Sequence, residues 1–222
     1  MAPTRITPDD LEPRVRHLVS TDPAHDWHHV VRVFRLGMRI LGQLRADAAV
    51  PADGLRHWGG WPEPTADDES ALRVALVCHD LGKKVDGGPN ALVADAELLA
   101  VLDGLDLSRD AFATALDAIN SHSWRRDVRP CSLAAAVVQD ADRLDAIGAV
   151  GVARCFAYGG SHGRPIHDPD DPAAGSLGHV REKLLLIRDR LNLDVSRALA
   201  EERHRFLVEF EARFLAEFDG HR

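Results

Sequence analysis

The sequence predicts an all-α fold, for three reasons. Apolar residues recur at the three-to-four-residue spacing of an amphipathic helix in one segment after another. No segment shows the alternation of apolar and polar residues that is typical of a half-buried strand. Most connections between the periodic segments are short, so we expect one helical domain that spans residues 1–222.

Each helix is predicted from its apolar spacing and from its start or stop signals. Thr7 can cap the first helix, Pro8 suits its first position, and Asp9 and Asp10 favour its positive end. The predicted helices cover residues 8–19, 26–45, 69–81, 90–102, 108–121, 132–158, 177–191 and 195–218.

Glycine and proline mark the connections between these helices. The long Ala-rich helix over 132–158 is expected to break near Gly148 or Gly151 and to end at Gly159-Gly160. Two stretches rich in Pro, Gly and Asp are expected to form surface loops, residues 46–69 and 159–176.

Composition excludes several classes of protein. No apolar run approaches the roughly 20 residues of a membrane span, and residues 1–10 do not resemble a secretory signal, so we expect a cytoplasmic protein without membrane contact. The net charge of -8 argues against general nucleic-acid binding but allows a small phosphorylated substrate. Cys78, Cys131 and Cys155 are odd in number and far apart, which favours buried free thiols over disulfides.

The first chemical signal is His79-Asp80, at the end of an apolar helix. Leu72, Ala75, Leu76 and His79 fall on one stripe of that helix, which carries the pair toward the core. Buried ionisable groups are costly unless they are paired or bound to a metal. The alternative is a His-Asp pair that caps the helix end at the surface.

The second signal is the pair of adjacent histidines, His28 and His29. His29 shares a helical face with Val33 and Leu36, so we expect it to point inward, whereas His28 continues a polar face of arginines. A metal ligand and a hydrogen-bonded core histidine are both compatible with an inward imidazole.

The third signal is the aspartate-rich segment 139–146. Asp142 shares a face with the buried-type Val138, which makes it the carboxylate most suited to the interior. An ordinary acidic helix would instead turn its carboxylates to solvent.

Together the three signals supply two imidazoles and two carboxylates from three separate helices. Nitrogen and carboxylate donors suit a divalent transition metal, and four protein ligands leave positions open for water and a substrate oxygen. A metal-activated water that attacks a phosphoryl group is the chemistry that such a site performs. The predicted ligands are His29, His79, Asp80 and Asp142.

The order His, His-Asp, Asp resembles that of the HD-domain phosphohydrolase superfamily. The segments around residues 25–33, 139–149, 156–160, 182–185 and 203–206 are similar to a branch of small single-domain bacterial hydrolases. The resemblance implies an all-α helical bundle around one buried metal, Mn²⁺ by preference, with Fe²⁺, Co²⁺, Ni²⁺, Zn²⁺ or Mg²⁺ as alternatives. It also implies hydrolysis of a nucleotide phosphoester or phosphoanhydride, such as a triphosphate cleaved to monophosphate and pyrophosphate.

Two departures from related branches narrow this expectation. Two-metal members carry two further histidines between the His-Asp pair and the last Asp, but here only His122 lies there, which favours one metal. Guanosine tetraphosphate hydrolases carry an acidic pair shortly after His-Asp, where this chain has Lys83 and Lys84, so that activity is disfavoured.

Further roles follow as hypotheses. Asp80, Lys83 and His122 are assigned to catalysis, with Lys83, Lys84 and His122 in contact with substrate phosphate. Four residues are predicted to contact the ligands, not the metal, and so to orient them, namely His25, Asp26, Asp140 and Asp145. The alternatives are a regulatory module that binds metal and nucleotide without turnover, and a two-iron oxidase, which the shortage of histidines disfavours.

Overall fold

A computed structural model describes residues 6–49, 58, 60–81 and 96–221. In this part of the chain the only pairing of extended backbone is an isolated bridge between Trp58 and Trp61, which confirms the all-α prediction. The α-helices there are α1 (Pro8–Val15), α2 (Trp27–Ala49), α3 (Ala66–Cys78), α4 (Ala96–Asp103), α5 (Arg109–Ser121), α6 (Leu133–Asp145), α7 (Gly148–Ser161), α8 (Ser176–Glu182) and α9 (Asp194–Phe218).

The chain forms two compact units. The first comprises Met1–Thr21 and His25–Asp142, and the second Asp22–Ala24 and Arg143–Arg222. Whether the chain is one domain, as expected above, stays a prediction.

Helix α3 is the centre of the first unit. It packs along α2 and α5, and its residues from Glu69 to Cys78 are buried except Arg73, which is half-buried. A helix that is apolar on nearly all sides must be a core helix. This explains how α3 can carry His79 and Asp80 into the interior at its C-terminal end.

Side-chain caps fix where several helices of the first unit begin. The predicted cap Thr7 is confirmed, since its backbone N–H donates to the Asp10 carboxylate at 2.9 Å. Thr65 and Asp68 form the same reciprocal box at the start of α3, with the Asp68 N–H donating to Thr65 Oγ1 at 3.2 Å. The predicted start of α3 at residue 69 is three residues too late, because this second box begins the helix at Ala66.

The predicted loop over 46–69 is therefore wrong at both ends. Helix α2 continues to Ala49 and α3 begins at Ala66. Trp58, which was expected at the surface, is only 6% exposed. A large aromatic side chain stabilises the fold by burying its apolar surface, which favours a buried position over an exposed one.

The predicted helix over 132–158 is broken, as expected, between α6 and α7. The break lies at Ala146 and Ile147, and Gly148 then adopts φ +80. That left-handed conformation is strained for any residue with a Cβ. A Cβ at this position would also lie 3.0 Å from Arg203 Cγ, so space and conformation both favour glycine.

The second unit contains α7, α8 and α9. Arg154 of α7 forms an ion pair with Asp145 at 2.9 Å and donates through Nε to the Ala24 carbonyl at 2.8 Å. Phe156 packs against Phe210 and Phe214 of α9, with ring centroids 6.0 and 5.9 Å apart.

Two predicted boundaries in the second unit are wrong. Gly159-Gly160 does not end α7, which runs to Ser161, so the loop over 159–176 begins later, and Ser176 is already in α8. Gly159 serves packing instead, because a Cβ there would meet Ser176 Oγ at 2.0 Å. The predicted helix over 177–191 unwinds after Glu182 into two short 3₁₀ turns.

Two further expectations can be compared with the described residues. None of their helices is both long and apolar enough to cross a membrane. All three cysteines are free, but only Cys78 is buried, whereas Cys155 is half-buried and Cys131 is exposed. The expectation of a buried thiol is wrong for Cys131, whose Sγ donates to the Asp117 carboxylate at 3.0 Å beside the start of α6.

Candidate metal centre

Three of the predicted ligands meet at one point of the first unit. His29 Nε2 lies 3.1 Å from His79 Nε2 and 3.2 Å from Asp80 Oδ2. The third pair, His79 Nε2 and Asp80 Oδ1, is 3.8 Å apart. All three residues are buried, and one ligand atom of each lies within 4.8 Å of the others.

Asp142 of α6 also approaches His29. Its Oδ1 lies 3.6 Å from His29 Nε2, and its side chain is 19% exposed, against 4% for the Asp80 side chain. His29 therefore lies near each of the other three predicted ligands, and the group whose ligand atoms all lie within 4.8 Å of one another consists of His29, His79 and Asp80. Asp142 is the one through which this cluster reaches solvent.

Local structure decides which of the adjacent histidines faces the cluster. His29 is buried and His28 is exposed, as the helical spacing predicts. Asp26 Oδ1 accepts the backbone N–H of His29 at 2.9 Å and so caps the first turn of α2. The His25 ring lies edge-on to His29, with centroids 5.6 Å apart.

A hydrogen bond at the back of the ring orients His79. Its Nδ1 lies 3.0 Å from the Leu76 carbonyl oxygen. A carbonyl can only accept, so Nδ1 carries the proton and Nε2 of the neutral ring presents a lone pair to the cluster.

Burial keeps the His79 imidazole neutral. Removal from water lowers the pKa of His79 to about 3, and this effect outweighs the attraction of the nearby Asp80 carboxylate. Burial likewise raises the pKa of the neighbouring Cys78 thiol to about 12, so that thiol is inert at neutral pH. A neutral imidazole is the form that binds a metal.

His122 adds a further imidazole to the cluster. It is 1% exposed, and its Nε2 lies 3.5 Å from Asp80 Oδ1. Its Nδ1 lies 2.6 Å from the Ile119 carbonyl oxygen, which fixes the same tautomer as in His79. The two rings meet edge-on with centroids 5.3 Å apart.

These residues fit a divalent cation. Two nitrogen ligands about 2.1 Å from one ion and at right angles to each other would lie about 3 Å apart. The His29 and His79 nitrogens are 3.1 Å apart, and the neutral His79 ring presents a lone pair there. The nearby carboxylates of Asp80 and Asp142 supply negative charge that a cation would balance.

The remaining predicted residues are placed as follows. Asp140 is fully buried in α6, whereas Asp145 is ion-paired with Arg154 in the second unit. Lys83 and Lys84 lie outside the described residues. The roles assigned to these residues, and to His25 and Asp26, stay predictions.

Gln139 is a residue of this region for which the sequence predicts no role. This side chain is fully buried, and its Nε2 bonds to the Ser121 and Val128 carbonyls at 2.9 and 3.0 Å. Its place one turn before Asp142 was the available signal, since a buried amide needs partners.

Comparison with protein families gives one match across this site. Residues 26–147 match the family model described as HD domain. The matched residues contain His29, His79, Asp80, His122 and Asp142.

Similar proteins and structures extend over nearly the whole chain. The YpgQ protein of Bacillus subtilis (strain 168) is 31% identical over 197 residues, which are 87% of this chain and 84% of YpgQ. The crystal structure of YpgQ in complex with ADP has a TM-score of 0.66 at 27% identity and covers 95% of this chain and 97% of its own. An HD-superfamily hydrolase from Bacillus thuringiensis has a TM-score of 0.68 at 28% identity, with 96% of each chain covered.

Proposed function

The chain belongs to the HD domain family, and from this premise we propose that it is a divalent-metal-dependent phosphohydrolase acting on a nucleotide. The observation that carries the proposal is that the buried side chains of His29, His79 and Asp80 lie close enough to bind one cation. The similarity to an HD-superfamily hydrolase over 96% of the chain supports hydrolysis as the general activity.

We propose that His29, His79, Asp80 and Asp142 hold one divalent cation, with Mn²⁺ preferred. The donor set of imidazole nitrogen and carboxylate oxygen suits Mn²⁺, Fe²⁺, Co²⁺, Ni²⁺ and Zn²⁺ better than Mg²⁺, which prefers oxygen ligands alone. When bound, such a cation supplies Lewis-acid polarisation of the phosphoryl group and activates a water molecule for attack.

The burial of the site residues indicates how substrate reaches them. The His29 and His79 side chains are 0% exposed, whereas Asp142 is 19% exposed. The substrate phosphate therefore approaches from the Asp142 side. We propose that Lys83 and Lys84, which follow Asp80 closely in the sequence, neutralise the charge of the substrate phosphate.

His122 is proposed to work beside the phosphate. With Nδ1 bonded to the Ile119 carbonyl, only Nε2 faces the cluster. In the neutral ring Nε2 accepts a hydrogen bond, and in the protonated ring it donates a proton to phosphate or to a leaving group. Nε2 is thus the one ring nitrogen of His122 that can bond to the phosphate or the leaving group.

The proposed substrate is a nucleotide with a phosphoanhydride bond. The structure of YpgQ, which is similar over 95% of this chain, was determined with ADP. A nucleoside triphosphate cleaved to monophosphate and pyrophosphate is the favoured reaction within this class. The net charge of -8 makes a small nucleotide a better fit than a nucleic acid.

Activity of metal-free protein tests the proposal. The protein is assayed against nucleoside tri-, di- and monophosphates while Mn²⁺, Fe²⁺, Co²⁺, Ni²⁺, Zn²⁺ or Mg²⁺ is added singly. We expect hydrolysis only with metal, strongest with Mn²⁺ and a triphosphate. Metal binding without turnover on any nucleotide would instead favour a regulatory module.

Adjacent histidines provide the matched control. Asp80→Ala, Asp142→Ala and His29→Ala should each lower kcat/KM by more than about 100-fold, because outer-shell changes alone cost about 10- to 100-fold. His28→Ala should retain wild-type activity, since His28 is exposed. Full activity in Asp80→Ala or Asp142→Ala would contradict the assigned ligands.

A further inference from the structure

Gln139 connects two parts of the first unit that both carry site residues. It lies on α6, one turn before Asp142, and its side chain is 0% exposed. Its Nε2 donates to the Ser121 carbonyl at 2.9 Å and to the Val128 carbonyl at 3.0 Å. Both acceptors are carbonyl oxygens, so the NH₂ group must face them and both of its hydrogens are used.

The two carbonyls are the ends of one loop, which we call the 121–128 loop. It contains His122 and a 3₁₀ turn over Trp124–Arg126, and it closes through Asp127, which adopts φ 48. Arg126 Nη1 donates to the Asn120 carbonyl at 2.9 Å, just before the loop. A single buried nitrogen on α6 therefore ties both ends of the loop.

The position of His122 depends on this connection. Its ring is held by its own Nδ1 bond to Ile119, but the backbone on which it stands follows Ser121 directly. A displacement of Ser121 would therefore change the distance between His122 Nε2 and Asp80 Oδ1, which is 3.5 Å. Reactive groups lose efficiency with displacements of this kind, because catalysis depends on distance to within about 1 Å.

We propose that Gln139 is a positioning residue that holds the 121–128 loop against α6 and thereby fixes His122 relative to Asp80 and Asp142. The inference rests on the proposed function, in which His122 acts on the phosphate. It adds a residue that touches neither metal nor substrate but sets the geometry of one that does.

The test combines two variants in a cycle. Gln139→Met keeps the length of the side chain and removes the two N–H donors, and His122→Gln removes the imidazole. Gln139→Met alone should lower kcat about 10- to 100-fold and change the Kd for Mn²⁺ by less than about twofold. In the His122→Gln background, Gln139→Met should have almost no further effect, since it acts through His122.

A second readout does not depend on turnover. The ¹⁵N shifts of the His122 ring and the hydrogen exchange of amides 122–128 are measured on wild type and Gln139→Met at one pH. We expect the Nδ1–H tautomer in wild type, and in the variant a mixed tautomer with faster exchange. This readout remains valid even if no nucleotide is hydrolysed, so the two proposals fail separately.

Two outcomes would overturn the positioning role. One is unchanged His122 shifts and unchanged exchange in Gln139→Met, and the other is a loss of kcat that simply adds to that of His122→Gln. If Gln139→Met does not fold, Gln139→Asn repeats the test, because it keeps the amide donors but shortens their reach by one carbon. Gln43→Met, an exposed glutamine of α2, is the control and should behave as wild type.

Discussion

His79 and His122 occupy the same position in their helices, and this explains how each is both buried and oriented. Each is the C-cap residue of its helix, α3 for His79 and α5 for His122. The last carbonyls of a helix lack donors within the helix, and in both cases Nδ1 supplies one to the residue three positions earlier. The helix end therefore gains a partner, and the imidazole gains a fixed tautomer.

For His79, the sequence allows either a cap at a helix end on the surface or a side chain directed into the core. The structure combines a helix end with burial, since His79 and His122 are both C-cap residues and are 0% and 1% exposed. A helix that ends inside the core combines the two, and periodicity along a single helix does not reveal where its end lies.

The Glu69 carboxylate provides a prediction of pH-dependent stability. It lies between Arg45 of α2 and Arg73 of α3, with Arg73 Nη2 donating at 2.8 Å. Burial by itself would raise the pKa of Glu69, but the hydrogen bonds with both arginines prevail and hold that pKa below its ordinary 4.5. Such a carboxyl stabilises the fold above about pH 4.5, and its contribution is lost as pH falls through the lowered folded pKa.

Glu69→Gln should therefore lower the free energy of unfolding by about 1–3 kcal/mol at pH 7, as expected for lost hydrogen bonds to charged groups. The difference from wild type should narrow as pH falls below 4.5, the ordinary pKa of this carboxyl. Urea unfolding at several pH values measures it. Glu217→Gln breaks an ion pair with Arg213 whose side chains are 53% and 71% exposed, so its stability should match that of wild type at each pH. A difference that is independent of pH would contradict the assignment.

At the scale of elements, α2 and α3 approach each other at a glycine. A Cβ on Gly37 would lie 2.5 Å from both methyl carbons of Leu76, a buried residue whose carbonyl orients His79. Gly42, in the same helix, has nothing within 4 Å of such a Cβ. The two glycines differ in packing and share the low helix propensity of glycine.

Gly37→Ala and Gly42→Ala should consequently change stability in opposite directions. Gly42→Ala should raise the free energy of unfolding by about 0.5–1 kcal/mol through helix propensity. Gly37→Ala should lower it by about 1–3 kcal/mol, because overpacking displaces Leu76. Chemical denaturation of both variants beside wild type measures the difference. Equal stabilisation by both would show that α2 and α3 are not in close contact at Gly37.

Helix existence was easier to predict than helix ends. The break before Gly148 was expected because glycine is a poor helix former, but the continuation of α7 through Gly159 was not. Glycine is required at position 159 because Ser176, which is distant in sequence, packs against it. A glycine required by packing and a glycine that ends a helix look identical in a single sequence, so local rules misassign one of them.

For the whole molecule, the inward orientation of the proposed ligand residues could be predicted because it depends only on local periodicity. The inward face of α2 selects His29 over His28, and the apolar sequence of α3 selects His79. Their convergence, and the link from Gln139 to the 121–128 loop, depend on the packing of helices distant in sequence. Contacts between residues 18 and 50 positions apart do not show in the periodicity of a single helix, so the sequence does not indicate a role for Gln139.

Convergence of ligands from α2, α3 and α6 predicts that metal binding stabilises the fold as well as the site. A ligand that binds only the folded state at about 100 times its Kd adds about 2.7 kcal/mol. In a chain of this size that raises the Tm of the transition that unfolds these helices by about 5–11 °C. Scanning calorimetry of chelator-treated protein with and without Mn²⁺ measures the shift, and Asp80→Ala should abolish it. Side chains from separate helices can bind one ion only when those helices are folded against each other. If the Tm of wild-type protein is the same with saturating Mn²⁺ as without metal, the three helices do not share an ion.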